Sequence, residues 1–394
     1  MISYKRIAFI NYSLFAGGAE RNVINLSKIF IKNGLQTDII IFKDINEYKY
    51  EYGYNLKNLH IIPLFKADKK ILPLLKPFYA FVLFYRLFNV LRLNKYDLLI
   101  AAEEYDPFFI TVFFSCLLRI KSLLLVGNNV SAELETKNFI LRSVYKVLFF
   151  ISFYFSTHII CVSKKLRIDL IENFSIQKNK ITSIYNGVDV KMIKQKLKDG
   201  LTSKEKELFV KNKTVITMGR LVNKKGFEYL IRTFALVKKQ VSGARLIIIG
   251  KGPLEKALMK LASDLKVKKD IIFTGFEKNN PYRLLKRADI FVFSSLYEGF
   301  GNVIIEAMNC GLPIVSMGCP YGPNEILEDG KWGVLVPQKN MNKCLLAGEM
   351  IRLLKNKSLL KKYKKLSLRR AKSFTLDIMG RKYLKIIHTM LKQL

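Results

Sequence analysis

"TVITMGRLVNKKGFEYLIRTFALV", residues 214–237, reads as a buried β-branched strand, a tight basic loop and a helix that opens directly after it. Here an alternation of strand and helix begins for the second time in the chain. Short apolar runs of this kind suit parallel strands covered on both faces by crossover helices. Downstream the runs "ARLIIIGKG", "DIIFTG", "DIFVFSS", "LPIVSM" and "GVLVP" continue the pattern. Upstream, from residue 6 to about 185, "RIAFINYS", "TDIIIF", "LHIIPL", "YDLLIAA", "SLLLVGNN" and "HIICVS" form an earlier series. Between the two lies a Lys-rich stretch without periodicity, "KQKLKDGLTSKEKELFVKNK". The expectation is an α/β chain of two tandem, doubly wound Rossmann-like domains facing across a cleft. The domains are expected over 1–188 and 213–375, with a linker region at 189–212 and a final helix, about 376–394, packing back on the first domain.

The 394 residues suffice for two such cores, and half of them are hydrophobic. A net charge of +36 points to phosphate-rich partners: a diphosphate ligand, an anionic membrane face or nucleic acid. Abundant Lys, Asn, Ile, Phe and Tyr also fit a compositionally biased genome. Five cysteines, at 116, 161, 310, 319 and 344, show no CxxC spacing and read as reduced thiols of a cytosolic protein. His60, His158 and His388 lack ligand spacing, so no metal site is expected. Lys5 and Arg6 precede an apolar run too short for a signal peptide. The apolar stretches 107–126 and 145–162 approach spanning length, yet Arg119 and Lys121 interrupt the first and the second reads as a helix feeding a strand.

Open α/β sheets bind ligands at the carboxyl ends of their strands, and every glycine-rich signal follows a strand there. In "AGGAERNVINLSKIF" (16–30), Gly17 and Gly18 allow a tight turn and close approach to an anion at a helix start. Arg220 and Lys225 lie five residues apart on a strand-to-helix loop, a fork and a point charge suited to a diphosphate, or two more surface cations in a basic chain. In "SSLYEGFGNVIIEAMNCGLP", Glu298 and Glu306 frame Gly299 and Gly301 at a helix start. Glu306 is placed to accept two hydrogen bonds from a vicinal diol such as ribose, unless it is an exposed helical acid.

Taken in order, "GGAER", "YNGVD", "GRLVNKKG", "GKGP" and the E-x7-E pair resemble the retaining GT-B glycosyltransferases of the family 4 type, over nearly the whole chain. That family includes many bacterial lipopolysaccharide, capsule and lipid-linked oligosaccharide enzymes. "CPYGPNEILEDGKWGVLVP" is similar to members that take hexoses or N-acetylhexosamines from UDP-sugars. The resemblance implies catalytic roles for Arg220, Lys225 and Glu298. It implies donor binding by Gly17, Gly18, Gly219, Gly250, Gly252, Pro253, Gly299, Phe300, Gly301, Asn302, Val303 and Glu306. Glu20 and Arg21 would lie toward the acceptor. Many relatives carry a histidine where this chain reads "LVGNNVSAE", so Asn128 is the acceptor-side candidate there. The implied reaction retains anomeric configuration without metal or cofactor, by front-face attack assisted by the leaving phosphate. A UDP-sugar epimerase of the same architecture and a basic nucleic-acid-binding protein are the alternatives, although no nucleic-acid module is found.

Two basic regions suggest that the acceptor is met at the inner face of the cell membrane. Residues 57–95 hold eight Lys or Arg against Asp68, with Phe78, Phe81, Tyr85 and Phe88 at helical spacing. From Ile351 onward fourteen Lys or Arg face one acid, Asp377. The expected partners are therefore a nucleotide sugar, a glycolipid or polyprenyl-diphosphate acceptor, and an anionic membrane surface.

Overall fold

The computed structural model describes residues 5–15, 17–46, 59–65, 76–210, 212–275, 280–338 and 342–392. Ala16 of the first glycine loop and much of the basic 57–75 segment lie outside the described residues, as does the side chain of Phe78. The chain forms two compact units, Met1–Tyr185 with Met379–Leu394, and Asn186–Ile378.

Unit 1 carries a parallel sheet of seven strands: β1 (Arg6–Asn11), β2 (Gln36–Ile41), β3 (Leu59–Pro63), β4 (Leu98–Ala101), β5 (Lys121–Val126), β6 (His158–Cys161) and β7 (Ile181–Ser183). Their order is β3-β2-β1-β4-β5-β6-β7. Between them run α1 (Gly18–Lys32), α2 (Lys76–Asn94), α3 (Asp106–Leu118), α4 (Val130–Glu135), α5 (Phe139–Phe155) and α6 (Lys164–Phe174). The central strands bury nearly every side chain, as expected of a sheet covered on both faces. Phe9 of β1 stacks on Phe30 of α1 at 5.9 Å between ring centroids. Helix α2 turns Leu83, Leu87 and Leu91, at i, i+4 and i+8, into the core beside Ala8 and Ile10.

Unit 2 repeats the plan with α7 (Val190–Lys196), α8 (Ser203–Glu207), β8 (Lys213–Met218), α9 (Phe227–Gln240), β9 (Ala244–Ile249), α10 (Glu255–Asp264) and β10 (Ile271–Gly275). There follow α11 (Tyr282–Leu285), β11 (Ile290–Phe293), α12 (Asn302–Asn309), β12 (Ile314–Gly318), α13 (Pro323–Leu327), β13 (Val334–Pro337), α14 (Lys343–Lys355) and α15 (Lys357–Ala371). The six parallel strands run β10-β9-β8-β11-β12-β13. The last helix, α16 (Leu376–Lys392), joins unit 1 from Met379 on. There Gly380 lets it approach closely, since a Cβ at that position would lie 2.9 Å from Ile29.

The 189–212 segment, expected as a linker region, instead folds as α7 and α8 within unit 2. Asp189 caps α7, and Thr202 with Glu205 forms a capping box on α8. Arg283 pairs with Glu205 at 2.7 Å, and Asn280 bonds Asp199 at 2.7 Å. Helices of five and seven residues are too short for a 3.6-residue period to show in the sequence. The two near-spanning stretches resolve as α3 followed by β5 and α5 followed by β6, and no described helix is long and apolar enough to cross a membrane. Cys161, Cys310 and Cys319 are buried, whereas Cys116 and Cys344 are exposed; all five are free thiols.

Candidate functional site

Each sheet reverses its winding once, between β1 and β4 in unit 1 and between β8 and β11 in unit 2. Ligands of open α/β sheets sit beyond the strand ends at such a reversal. In unit 2 the loops leaving β8 and β11 carry Arg220, Lys225 and Glu298, residues spread over 79 positions of sequence. Lys225 Nζ donates to Glu298 Oε1 across the reversal, their side chains only 19% and 11% exposed. Ser295 Oγ donates to the same carboxylate oxygen at 3.0 Å. The backbone stitches the loops together as well: Ser294 Oγ donates to the Lys225 carbonyl at 2.9 Å, and the Leu296 amide to that of Lys224 at 2.8 Å. Arg220 is exposed and has no ion-pair partner among the described residues, which leaves its guanidinium available to an incoming anion.

The glycines explain how these loops come so close. Gly226 has φ +62°, and a Cβ there would meet the Ser294 carbonyl at 2.1 Å. Gly250, at φ +144°, lies against the Gly219 carbonyl, where a Cβ would stand 1.9 Å away, and Gly252 is pressed against Leu221 in the same way. The amides of Gly219 and Gly250 donate to Ile249 and Gly275. Those two glycines shape the loop that holds Arg220 and Lys225, and their amides are already engaged within the sheet ends. Pro253 is exposed just before α10.

Gly299, Phe300 and Gly301 lead into α12, whose N-cap Gly301 has φ +100°. Phe300 is buried against Phe374, and Gly322 (φ +67°) is packed so tightly on the Phe300 carbonyl that a Cβ would stand 2.0 Å from it. The "CPYG" segment thus braces this loop from behind. Asn302 Oδ1 accepts from Asn186 Nδ2 at 3.1 Å, giving the "YNGVD" motif its place. Val303 is half-buried. Glu306 is a buried acid, 5% exposed, on the inner side of α12. The Cys319 thiol, pushed up to about 12 by burial and the Glu298 charge with Lys225 opposing, lies beside the ion pair.

In unit 1 the reversal is framed by residues that sequence reading passed over. Glu103, just past β4, accepts from the Tyr12 amide at 2.9 Å and from Asn11 Nδ2 at 3.1 Å, which ties β4 to β1. Burial raises the Glu103 pKa against those two hydrogen bonds, and the neighbouring Glu104 charge adds to the rise. Glu104 gathers the next loop, accepting from the amides of Gly127 and Asn128 at 2.8 Å and from Asn128 Nδ2 at 3.0 Å. Asn129 caps α4. Tyr105, at φ +70°, holds a strained backbone at the start of α3, with its ring edge against Tyr145 and Phe149. Two acids directly after a buried strand were the available signal.

The first glycine loop differs from expectation in its reason. Gly17 sits at φ −117°, a conformation open to any residue, and leaves the space into which the Glu20 carboxylate folds back, 2.3 Å from where a Cβ would stand. Gly18 opens α1 at the surface, and Arg21 is half-buried.

Two family models match the chain in tandem: Glycosyltransferase Family 4 over residues 16–192 and Glycosyl transferases group 1 over 200–370. An uncharacterized glycosyltransferase of Methanocaldococcus jannaschii is 30% identical over 346 residues, 79% of this chain and 84% of its own. The chain is a family 4, group 1 glycosyltransferase. The N-acetylgalactosamine-N,N'-diacetylbacillosaminyl-diphospho-undecaprenol 4-alpha-N-acetylgalactosaminyltransferase of Campylobacter jejuni is 28% identical over 94% of this chain and 96% of its own. The crystal structure of Anabaena HepE in complex with UDP-glucose superposes with a TM-score of 0.79 at 20% identity, covering 98% of this chain and all of that one. The fold of this glycosyltransferase is therefore GT-B, and its family sets aside the epimerase and nucleic-acid alternatives.

Proposed function

We propose that this glycosyltransferase moves a hexose or N-acetylhexosamine from a UDP-sugar to a lipid-linked or surface-polysaccharide acceptor at the cytoplasmic face of the membrane. Retention of configuration without a metal ion belongs to the same proposal. The observation that carries it is the Lys225–Glu298 pair across the unit 2 reversal, with exposed Arg220 on the same loop. Arg220, Lys225 and the amides opening α12 supply positive charge where a nucleoside diphosphate leaves. Glu298, with the backbone of Gly299, Phe300 and Gly301, takes the sugar, and Glu306 takes the ribose diol. As the bond from the anomeric carbon to the diphosphate oxygen breaks, the acceptor oxygen bonds that carbon on the same face and passes its proton to the departing phosphate. In unit 1, Gly17 and Gly18 are assigned to the diphosphate, and Glu20, Arg21 and Asn128, the last held by Glu104, to the acceptor. The HepE complex supports UDP-glucose-type donors, and the Campylobacter relative supports a polyprenyl-diphosphate acceptor.

Mass spectrometry of a polyprenyl-diphosphate-linked sugar incubated with enzyme and a panel of UDP-sugars tests this reading. The expected product gains one hexose or N-acetylhexosamine in the donor's anomeric configuration. UDP release without any gain in acceptor mass overturns the acceptor assignment. Glu306→Ala is expected to raise the donor KM more than it lowers kcat, because a ribose contact acts equally in ground and transition states. A fall in kcat at unchanged KM removes Glu306 from the ribose.

A further inference from the structure

Helix α5 is apolar on two faces, and only one of them is used inside the protein. Phe149 and Phe153 pack in the core against Phe108 of α3 and Phe174 of α6. The other face, Ile140, Val144, Val147, Ile151 and Tyr154, follows a spacing of four, three, four and three residues and lies in solvent, each side chain 43–73% exposed. At 1.5 Å per residue the 17-residue helix presents a stripe about 25 Å long, far beyond the scattered apolar side chains of an ordinary surface. The helix is shorter than the ~20 residues a crossing needs and carries Arg142 and Lys146, so its outer face suits lying along an interface.

The charges around the stripe are mainly basic, although Arg142 near its start pairs with Glu135. Residues 136–168 contain six Lys or Arg and no Asp or Glu. At the carboxyl end of α5 opens a cavity of about 810 Å³ lined by His158, Lys180, Thr182, Lys382 and Lys385 among others. It sits at the amino ends of β6 and β7, the edge of the sheet opposite the Glu103 and Asn128 loops. Lys180 Nζ donates to the Tyr154 carbonyl and lies 5.9 Å from that ring, so cavity and stripe are continuous. His158 bonds Thr182 Oγ1 at 3.0 Å, and burial with the Lys180 charge holds its pKa down; burial lowers the Lys180 pKa too, leaving the exposed Lys382 and Lys385 as the charge of the cavity.

We propose that the outer face of α5 docks on an anionic bilayer, its stripe entering the headgroup boundary while Lys382 and Lys385 take a lipid phosphate. The inference rests on the proposed function, in that a lipid-linked acceptor must be met at a membrane, and it moves the main contact from α2 to α5. On α2, Phe81 and Tyr85 are exposed, but Arg86 is tied down, donating to the Leu64 carbonyl at 2.6 Å and covering the Phe65 ring.

Flotation of the full chain with phosphatidylglycerol-rich and with pure phosphatidylcholine vesicles tests the proposal. Wild type is expected on the anionic vesicles and released by salt. Val144→Glu/Ile151→Glu and Lys382→Glu/Lys385→Glu are each expected to lower partitioning at least ~10-fold, with melting temperatures unchanged, because all four side chains face solvent. Wild-type binding by either pair, or loss only with Phe81→Glu/Tyr85→Glu on α2, overturns it. So does a wild-type dimer that Val144→Glu/Ile151→Glu dissociates while vesicle binding persists, since a second copy would then cover the stripe. UDP release from UDP-sugars with a detergent-solubilised polyprenyl-diphosphate-linked sugar as acceptor, followed in parallel, keeps the two readings apart: its absence in wild type counts against the proposed transfer and leaves the docking result standing.

Discussion

Lys225→Ala is expected to lower kcat about 10²- to 10³-fold, and Arg220→Ala to fall in the same range, because each removes a cation from charge that grows as the sugar leaves. The structure separates the two variants by their partners. Arg220 is exposed and makes no ion pair among the described residues, so its removal takes away only the contact with the donor, and folding stability should stay within about 0.5 kcal/mol. Lys225 is already paired with Glu298 in a mostly covered setting. Its loss also strands that carboxylate, and the melting temperature should drop as well as the turnover. In the double variant the losses should not multiply, since two cations gripping one diphosphate act as a unit. Steady-state UDP release from the three variants reads all of this, and near-normal turnover in either single variant removes that residue from the diphosphate.

The second large effect falls on Glu298. Replacing it with alanine leaves Lys225 without its carboxylate partner at a site where both side chains are mostly covered, and breaking a buried pair costs about 3–5 kcal/mol. Part of that appears as lost stability and part as lost catalysis, because a freed Lys225 no longer holds the geometry that suits the diphosphate. Glu298→Gln separates the parts: its amide oxygen still accepts from Lys225 and Ser295, while the negative charge facing a sugar that gains positive character is gone. We expect Glu298→Gln to keep most of its melting temperature and still lose at least ~10²-fold in kcat. Equal recovery of stability and turnover in Glu298→Gln assigns the residue to loop architecture alone.

Much of this was legible because the relevant signals are local. The run 214–237 shows strand, glycine loop and helix within one window, and β8, the Gly226 turn and α9 occupy those places. Glu306 was readable as an acid among apolar neighbours, and it is buried. What escaped reading is long-range or ambiguous in period. Lys225 and Glu298 stand 73 residues apart, and only the strand order makes them neighbours. Glu103 and Glu104 look like the polar end of a strand until Asn11 and Asn128 arrive from elsewhere in the sheet. Gly17 reads as a turn glycine, yet its φ of −117° asks for no glycine, and the space beside it is filled by the Glu20 carboxylate. Helix α5 is apolar on two faces, so its sequence does not say which of them is packed and which meets solvent.

The most direct test of the central claim, that protein cations do the work of a metal on a UDP-sugar, is UDP release by the purified wild-type enzyme in excess EDTA, with a polyprenyl-diphosphate-linked sugar as acceptor, across a panel of UDP-hexoses and UDP-N-acetylhexosamines. Release from at least one donor is expected, at a rate EDTA does not change. Release that appears only with added Mn²⁺ or Mg²⁺ would contradict it.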